Sequence, residues 1–95
     1  MNTLMVNELI DMFSEKKITA KELAKLYDLK ESQIRRIVNT LRCNGIPICS
    51  NHKGYNLSKD IMDIQSTINS LKSRVKQMQK AIVGLESALE VLMDE

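Results

Sequence analysis

The stretch that decides the fold is residues 18–58, ITAKELAKLYDLKESQIRRIVNTLRCNGIPICSNHKGYNLS. A short helix is predicted to start at Thr19, because Thr19 and Glu22 have the spacing of a capping box. After a tight turn, a second helix is predicted over Glu31–Asn44, and Gly45 ends it because glycine tolerates the left-handed conformation best. Apolar residues at helical spacing supply the predicted buried faces of the two helices: Leu23, Ala24, Leu26, Tyr27, Ile34, Ile37, Val38 and Leu41.

The residues after Gly45 predict a β-hairpin, and those before Thr19 predict one more helix. Two short strands are expected, one over Ile46–Ser50 and one over Tyr55–Leu57, around a tight turn that ends at Gly54. Upstream, apolar residues at helical spacing predict a helix over about Thr3–Phe13, with a break after it. Three helices followed by a hairpin is the order of elements in a winged helix-turn-helix.

Downstream of the hairpin, apolar residues recur at alternating spacings of three and four. A helix is predicted from a Ser58 cap to Met93, with Asp60 and Asp63 in its first turn, where the helix dipole favours anions. At roughly 50 Å it is too long to fold back over a domain of about 58 residues, so we expect it to project. The ten core positions of the heptad are Ile61, Ile64, Ile68, Leu71, Val75, Met78, Ile82, Leu85, Leu89 and Leu92.

A stripe of period 3.5 is typical of a helix that buries itself against another helix. β-Branched residues at the first core position and leucine at the second favour a parallel homodimer. No polar residue interrupts the core, and the flanking positions carry few charges that would pair. Additional apolar residues widen the stripe near its C-terminal end, so a tetramer is the second choice: Ala81, Val83, Ala88 and Val91. A third interpretation is that the helix packs against its own domain.

Composition and charge limit the class of protein. The chain has 95 residues and a net charge of +2, with no segment of membrane-spanning length, so we expect a cytoplasmic protein in a bacterial cell or an infected host cell. Cys43 and Cys49 do not have the spacing of a zinc site or a disulfide framework. The segment from Lys30 to Lys53 contains five basic residues and a single acidic one, Glu31. We divide the chain into a domain at residues 1–58 and an oligomerisation helix at residues 59–95.

The helical wheel of Glu31–Asn44 selects candidate contacts to double-stranded DNA. If the apolar residues point inward, a polar face carrying Ser32, Arg36, Asn39 and Cys43 points outward, flanked by Gln33 and Arg35. Arginine suits guanine, and asparagine and glutamine suit adenine, in the major groove. Arg42 and Lys30, at the margins, are expected at phosphates. Lys53, in the hairpin turn, either reaches the DNA backbone or the minor groove or only makes the turn soluble. The candidate DNA-binding residues are therefore Ser32, Gln33, Arg35, Arg36, Asn39, Lys30, Arg42 and Lys53.

Residues 18–58 resemble the winged helix-turn-helix module at the N-terminus of the biotin repressor and similar bacterial regulators. The correspondence is clearest in LRCNGIPICSNHKGYNLS, residues 41–58, where the end of a recognition helix, its glycine stop, a strand and a wing occur in the family's order. The resemblance covers Leu4 to Ser58 and implies DNA binding. Lys30 stands where these modules commonly place a serine or threonine cap. We expect no ligase or effector domain, so the ligand-sensing role is not carried over.

The sequence therefore predicts a mainly α protein with a small β-hairpin: a winged helix-turn-helix followed by a long C-terminal coiled-coil helix. We expect a DNA-binding transcriptional repressor that acts as a homo-oligomer on inverted repeats. Small proteins of phages and mobile elements in Gram-positive bacteria are similar in layout. The alternative is a phage-encoded protein that binds a host replication or defence factor, such as a CRISPR component. No constellation of catalytic residues, metal ligands or cofactor contacts is predicted.

Overall fold

The computed structural model describes residues 3–95, so the first two residues of the predicted domain 1–58 lie outside it. The fold is mainly helical, with a small antiparallel hairpin and a long C-terminal helix, as the sequence predicts. In chain order the elements are α1 (Thr3–Glu15), α2 (Ala20–Tyr27), α3 (Glu31–Cys43), β1 (Ile48–Asn51), β2 (Gly54–Leu57) and α4 (Ile61–Met93).

One hydrophobic core joins α1, α2, α3 and the hairpin. Its fully buried side chains include Leu9 and Phe13 of α1 and Leu23 of α2. The predicted inward residues of α3 are all buried, so its polar face is the opposite one. Leu26 was predicted to be buried and this is wrong, because its side chain is 62% exposed. It lies about 100° around α2 from the strip that faces the core.

The start of α2 follows the prediction in part. Thr19 Oγ1 accepts a hydrogen bond from the Glu22 backbone N–H at 3.1 Å, which is the N-cap contact. The Glu22 carboxylate does not complete the box at the Thr19 backbone N–H, because it accepts from the Thr19 hydroxyl at 3.1 Å instead. Asp28 ends α2 in the left-handed conformation, with φ of 52°.

The end of α3 explains why the first strand is shorter than predicted. Gly45 has φ of 82°, and its N–H donates to the Arg42 carbonyl at 3.0 Å. The Ile46 N–H donates to the Leu41 carbonyl at 3.1 Å, so the two bonds form a Schellman motif. Ile46 therefore closes the helix, and β1 begins at Ile48 rather than at Ile46.

The hairpin has a third, single-residue contact that the sequence did not reveal. β1 and β2 pair from Ile48 with Leu57 to Asn51 with Gly54, which leaves a two-residue turn. Ile18 pairs with Tyr55 on the other side of β2, through N–H to carbonyl bonds of 3.0 and 2.8 Å. The segment between α1 and α2 is thereby attached to the hairpin of β1 and β2, which is called the wing below.

Helix boundaries differ from the prediction at both ends of the domain. α1 continues to Glu15 instead of stopping at Phe13, and the Ser14 hydroxyl donates to the Ile10 carbonyl within the helix at 2.8 Å. α4 begins at Ile61 rather than at Ser58.

Asp60 is the N-cap of α4, and its Oδ1 accepts from the Met62 N–H at 2.9 Å. Ser58 was predicted to fill that position, but it is buried and its hydroxyl donates to Asp63 Oδ2 at 2.8 Å. Ser58 Oγ also accepts from the Asp60 N–H at 3.1 Å. Ser58 therefore fixes the chain just before the helix and does not cap it.

The first three turns of α4 pack on β1, and the rest projects. Thr67 is 7% exposed, and its Oγ1 accepts from the Ser50 backbone N–H at 3.3 Å. Ile64 and Leu71 are half-buried, whereas every residue after Leu71 is exposed. The projecting part gives the molecule a longest dimension of 57 Å. Within residues 3–95, α4 and the shorter helices all lack the length or the apolar character needed to cross a membrane.

Candidate nucleic-acid interface

The exposed face of α3 carries three polar side chains that are not engaged by the fold. Ser32, Arg36 and Asn39 are exposed, and within residues 3–95 their side chains have neither a hydrogen bond nor an ion pair. They point outward because Ile34 and Val38, each 1% exposed, anchor the opposite face. This face is rigid and its donors and acceptors are available to a ligand.

Two neighbouring candidates are partly committed. Gln33 Oε1 accepts from the Lys30 backbone N–H at 2.8 Å, which is one half of a capping box at the start of α3. Gln33 would have to give up this bond to contact adenine through both amide atoms. Arg35 lies 3.9 Å from the Glu31 carboxylate, and both side chains are more than half exposed. An exposed pair of this kind contributes roughly 0.2–1 kcal/mol or less, so Arg35 is easily redirected.

Arg42, which is predicted to contact a phosphate, is engaged by the hairpin. Its Nε donates to the Ile48 carbonyl at 2.7 Å, and its Nη2 donates to Ser50 Oγ at 3.2 Å. The guanidinium also lies over the Tyr55 ring, 5.8 Å from the centroid. Burial lowers the pKa of Arg42, and the nearby Arg74 lowers that pKa further. Arg42 therefore connects α3 to the wing.

A polar cleft of about 420 Å³ lies between the wing, the start of α2 and α4. Arg42 and Arg74 contribute cations to it, and neither forms an ion pair with the described part of the chain. Hydroxyl and amide groups complete the lining, notably those of Thr19, Ser50 and Asn51. Such a lining suits a phosphate oxygen. Arg74 was not among the predicted site residues, because in the sequence it is only a flanking position of the heptad. The packing of α4 on the hairpin brings it to this cleft.

The hairpin turn presents its two side chains to solvent. His52 and Lys53 are exposed, and the Lys53 backbone N–H donates to Asn51 Oδ1 at 2.8 Å. That bond makes an Asx-turn, which orders the tip without using the Lys53 ammonium group. Lys30 is also exposed, one residue before α3. Lys30, predicted at a phosphate, and Lys53, a candidate for the DNA backbone or minor groove, are therefore both accessible.

The side chains that could bind a metal ion or react as thiols lie apart from one another in the part of the chain that the structure describes. Between residues 3 and 95, His, Cys, Asp and Glu do not gather in threes as a metal ion would require. Cys43 is an exposed free thiol on α3, and Cys49 is a buried one on β1.

Comparison of the chain with protein-family models, curated proteins and solved structures found no match. The resemblance of residues 4–58 to the biotin-repressor module therefore stays a prediction.

Proposed function

We propose that the protein is a sequence-specific DNA-binding regulator that acts as a homodimer on inverted-repeat sites in a bacterial or infected cell. It would repress by occupying its operator, without catalysis. The observation that carries the proposal is the exposed face of α3, where Ser32, Arg36 and Asn39 have no partner within residues 3–95. A helix supported on its apolar side by a compact domain is the element that enters the major groove in helix-turn-helix proteins.

The side chains on this face match the donor and acceptor pattern of base edges. Arg36 has paired donors for guanine O6 and N7, and Asn39 has the donor and acceptor that adenine requires. Each such bidentate contact contributes roughly 1–3 kcal/mol of discrimination against the wrong base. Ser32 lies one turn before Arg36 and contacts either kind of base edge. Specificity is therefore assigned mainly to Arg36 and Asn39.

Charge supports the same proposal. Glu31, the single acid between Lys30 and Lys53, is paired with Arg35, so the other cations of this segment have no acidic partner in the described chain. Phosphates supply the missing negative charge. Affinity that depends on such contacts falls steeply as salt rises, because condensed counterions are released on binding.

The proposed dimer rests on α4. Core positions of the heptad in its projecting part are largely exposed, with Ile82 at 55%, Leu85 at 71%, Leu89 at 56% and Leu92 at 65%. A continuous apolar stripe on a helix is typical of an interaction surface. Two copies joined by this stripe would present two α3 helices to two half-sites.

Selection from random-sequence duplex followed by gel-shift titration tests the proposal. We expect a defined inverted repeat, and a loss of about 10-fold to 100-fold in affinity for Arg36→Ala or Asn39→Ala. Lys25→Ala removes an exposed cation from α2 and is the matched control, for which we expect less than about a threefold change. A protein that binds no duplex even at low salt would contradict the proposal and favour the protein-binding alternative.

A further inference from the structure

The projecting part of α4 carries its charges in two separate blocks. Residues 72–80 contain four basic side chains and no acidic one, whereas residues 86–95 contain four acidic side chains and no basic one. All of these residues are exposed. The basic block consists of Lys72, Arg74, Lys76 and Lys80, and the acidic block of Glu86, Glu90, Asp94 and Glu95.

This segregation distinguishes the two ways in which two α4 helices can pair. In a parallel pair, each block lies alongside its own copy, so neither Lys72 nor Glu86 has an opposite charge near it and like charges repel at longer range. In an antiparallel pair, the basic block of one helix lies beside the acidic block of the other. The core residues alone favour a parallel pair, but that preference does not take the charges of α4 into account.

An apolar surface lies at the base of α4, which is its first three turns. Only in an antiparallel pair would the C-terminal half of the partner's α4 reach this surface. An apolar groove runs between residues 45–49, which lead from the end of α3 into β1, and Ile64, Ile68 and Leu71 of α4. The C-terminal half of α4 is apolar beyond the heptad core, since Val83, Val91 and Met93 are 64%, 63% and 76% exposed. A helix that packs against both another helix and a loop needs such a wide apolar surface.

We propose that two copies pair through antiparallel α4 helices, with the C-terminal turns of each helix covering the groove at the base of the other. The inference rests on the homodimer of the proposed function but not on DNA binding. Of the registers that stack the core in layers, one places Lys72 beside Glu86 of the partner subunit. Its layers are Ile68 with the partner's Leu92, Leu71 with the partner's Leu89, Val75 with the partner's Leu85, and Met78 with the partner's Ile82.

This register agrees with the burial of α4 by its own domain. Ile64 lies outside the layers and is already half-buried against the domain, whereas Leu71, also half-buried, keeps the rest of its surface for the partner's Leu89. Ile68 is 38% exposed, so it retains surface for the partner's Leu92. In a parallel pair, Lys72 and Glu86 of opposite helices would be roughly 21 Å apart along the axis, too far for a direct contact.

Charge reversal at these two positions tests the pairing. In sedimentation equilibrium of the full chain at low salt, Lys72→Glu and Glu86→Lys should each raise the dimer dissociation constant about fivefold, because two equivalent pairs are lost per dimer. The double variant should return it to within about twofold of wild type. Single variants that dimerise as well as wild type or better, with no recovery in the double variant, would overturn the antiparallel arrangement.

A distance measurement reads the orientation directly. Spin labels on Asp94→Cys, in a Cys43→Ser background, should lie roughly 40 Å apart in an antiparallel dimer and within about 20 Å in a parallel one. The Cys43→Ser protein without the new cysteine corrects for any label on Cys49. The short distance would overturn the inference.

Gel shifts with the same proteins separate this inference from the function. A parallel dimer that binds its operator contradicts only the inference, and an antiparallel dimer that binds no DNA contradicts only the regulator. A monomer at tens of micromolar, the concentration at which weak coiled coils assemble, contradicts both the antiparallel pair and the homodimer.

Discussion

The Arg42 guanidinium lies 5.8 Å from the centroid of the Tyr55 ring and links the candidate recognition helix to the wing. The same side chain donates to the Ile48 carbonyl and to Ser50 on β1. Tyr55 in turn packs edge to face on Phe13 of the core, with ring centroids 6.2 Å apart. The angle between α3 and the hairpin is thus fixed by one cation and its three partners.

Replacing Arg42 tests this role. We expect Arg42→Ala to lower the free energy of unfolding by about 2–3 kcal/mol, because it removes two hydrogen bonds and a cation–π contact. Arg42→Lys should recover only a small part, since an ammonium group cannot reach both acceptors with the same geometry. Urea denaturation measures the difference, with Arg36→Ala as an exposed control expected to change it by about 0.5 kcal/mol or less. Unchanged stability together with weaker DNA binding would restore the predicted phosphate contact.

Gly54 and Gly84 form a matched pair for a second prediction. Gly54 has φ of 124°, and a Cβ there would lie 2.6 Å from the Ile18 carbonyl carbon and oxygen. Gly54→Ala should therefore destabilise the domain by about 2–4 kcal/mol, through strain and loss of the Ile18 bridge. A Cβ at Gly84 meets nothing within 4 Å in the isolated chain.

Gly84→Ala consequently should not destabilise the fold, and it should stabilise the helix by about 0.5–1 kcal/mol. Thermal unfolding of both variants, followed by circular dichroism, gives the comparison. Equal effects of the two alanines would show that the approach of Gly54 to Ile18 is not tight.

Local signals predicted most of the fold. The cap at Thr19, the glycine at position 45 and the helical spacing in α3 are short-range features, and each predicted element is present. The bridge between Ile18 and Tyr55 left no such signal, because a single paired residue has no periodicity. Ser58 and Asp60 are both good N-caps, and only the burial of Ser58 decides between them.

The candidate site was harder to predict than the fold. A helical wheel separates outward from inward residues, so it found Ser32, Arg36 and Asn39. It does not show which outward residues the protein itself engages. Gln33 caps α3 and Arg42 binds the wing, and both contacts depend on neighbours that the wheel leaves out. Likewise, the packing of Thr67 on β1 leaves no mark in the heptad, and of the three alternatives for α4 only the third placed part of the helix on its own domain.

A hydrogen bond between α2 and α1 predicts how stability depends on pH. Tyr27 Oη donates to Glu8 Oε2 at 3.1 Å. Burial raises the pKa of Tyr27 above its ordinary value of 10.0, and the bond to Glu8 raises that pKa further. Because the folded pKa is the higher one, the stabilisation is present below pH 10 and is lost as pH rises through the folded pKa.

Tyr27→Phe should therefore cost about 1 kcal/mol near neutral pH and progressively less at alkaline pH. Urea midpoints of both proteins at neutral and strongly alkaline pH measure this convergence. Glu8→Gln keeps an acceptor for the phenol but removes the charge, so it should retain most of the neutral-pH stability. A cost of Tyr27→Phe that stays constant with pH would show that the Glu8 contact is not formed.

The antiparallel pairing of α4 also determines the spacing of half-sites. In that arrangement the two-fold axis is perpendicular to the helices, and we expect the pair to lie along the DNA with one N-terminal domain at each end. The starts of the two α4 helices are roughly 55 Å apart, and the domains extend beyond them. Half-sites centred about two helical turns apart, roughly 70 Å, fit this distance better than half-sites about one turn apart, roughly 35 Å.

Gel shifts on synthetic inverted repeats with one-turn, one-and-a-half-turn and two-turn spacings should show the tightest binding at two turns. Tightest binding at one turn would indicate that the domains sit side by side, as in a parallel pair.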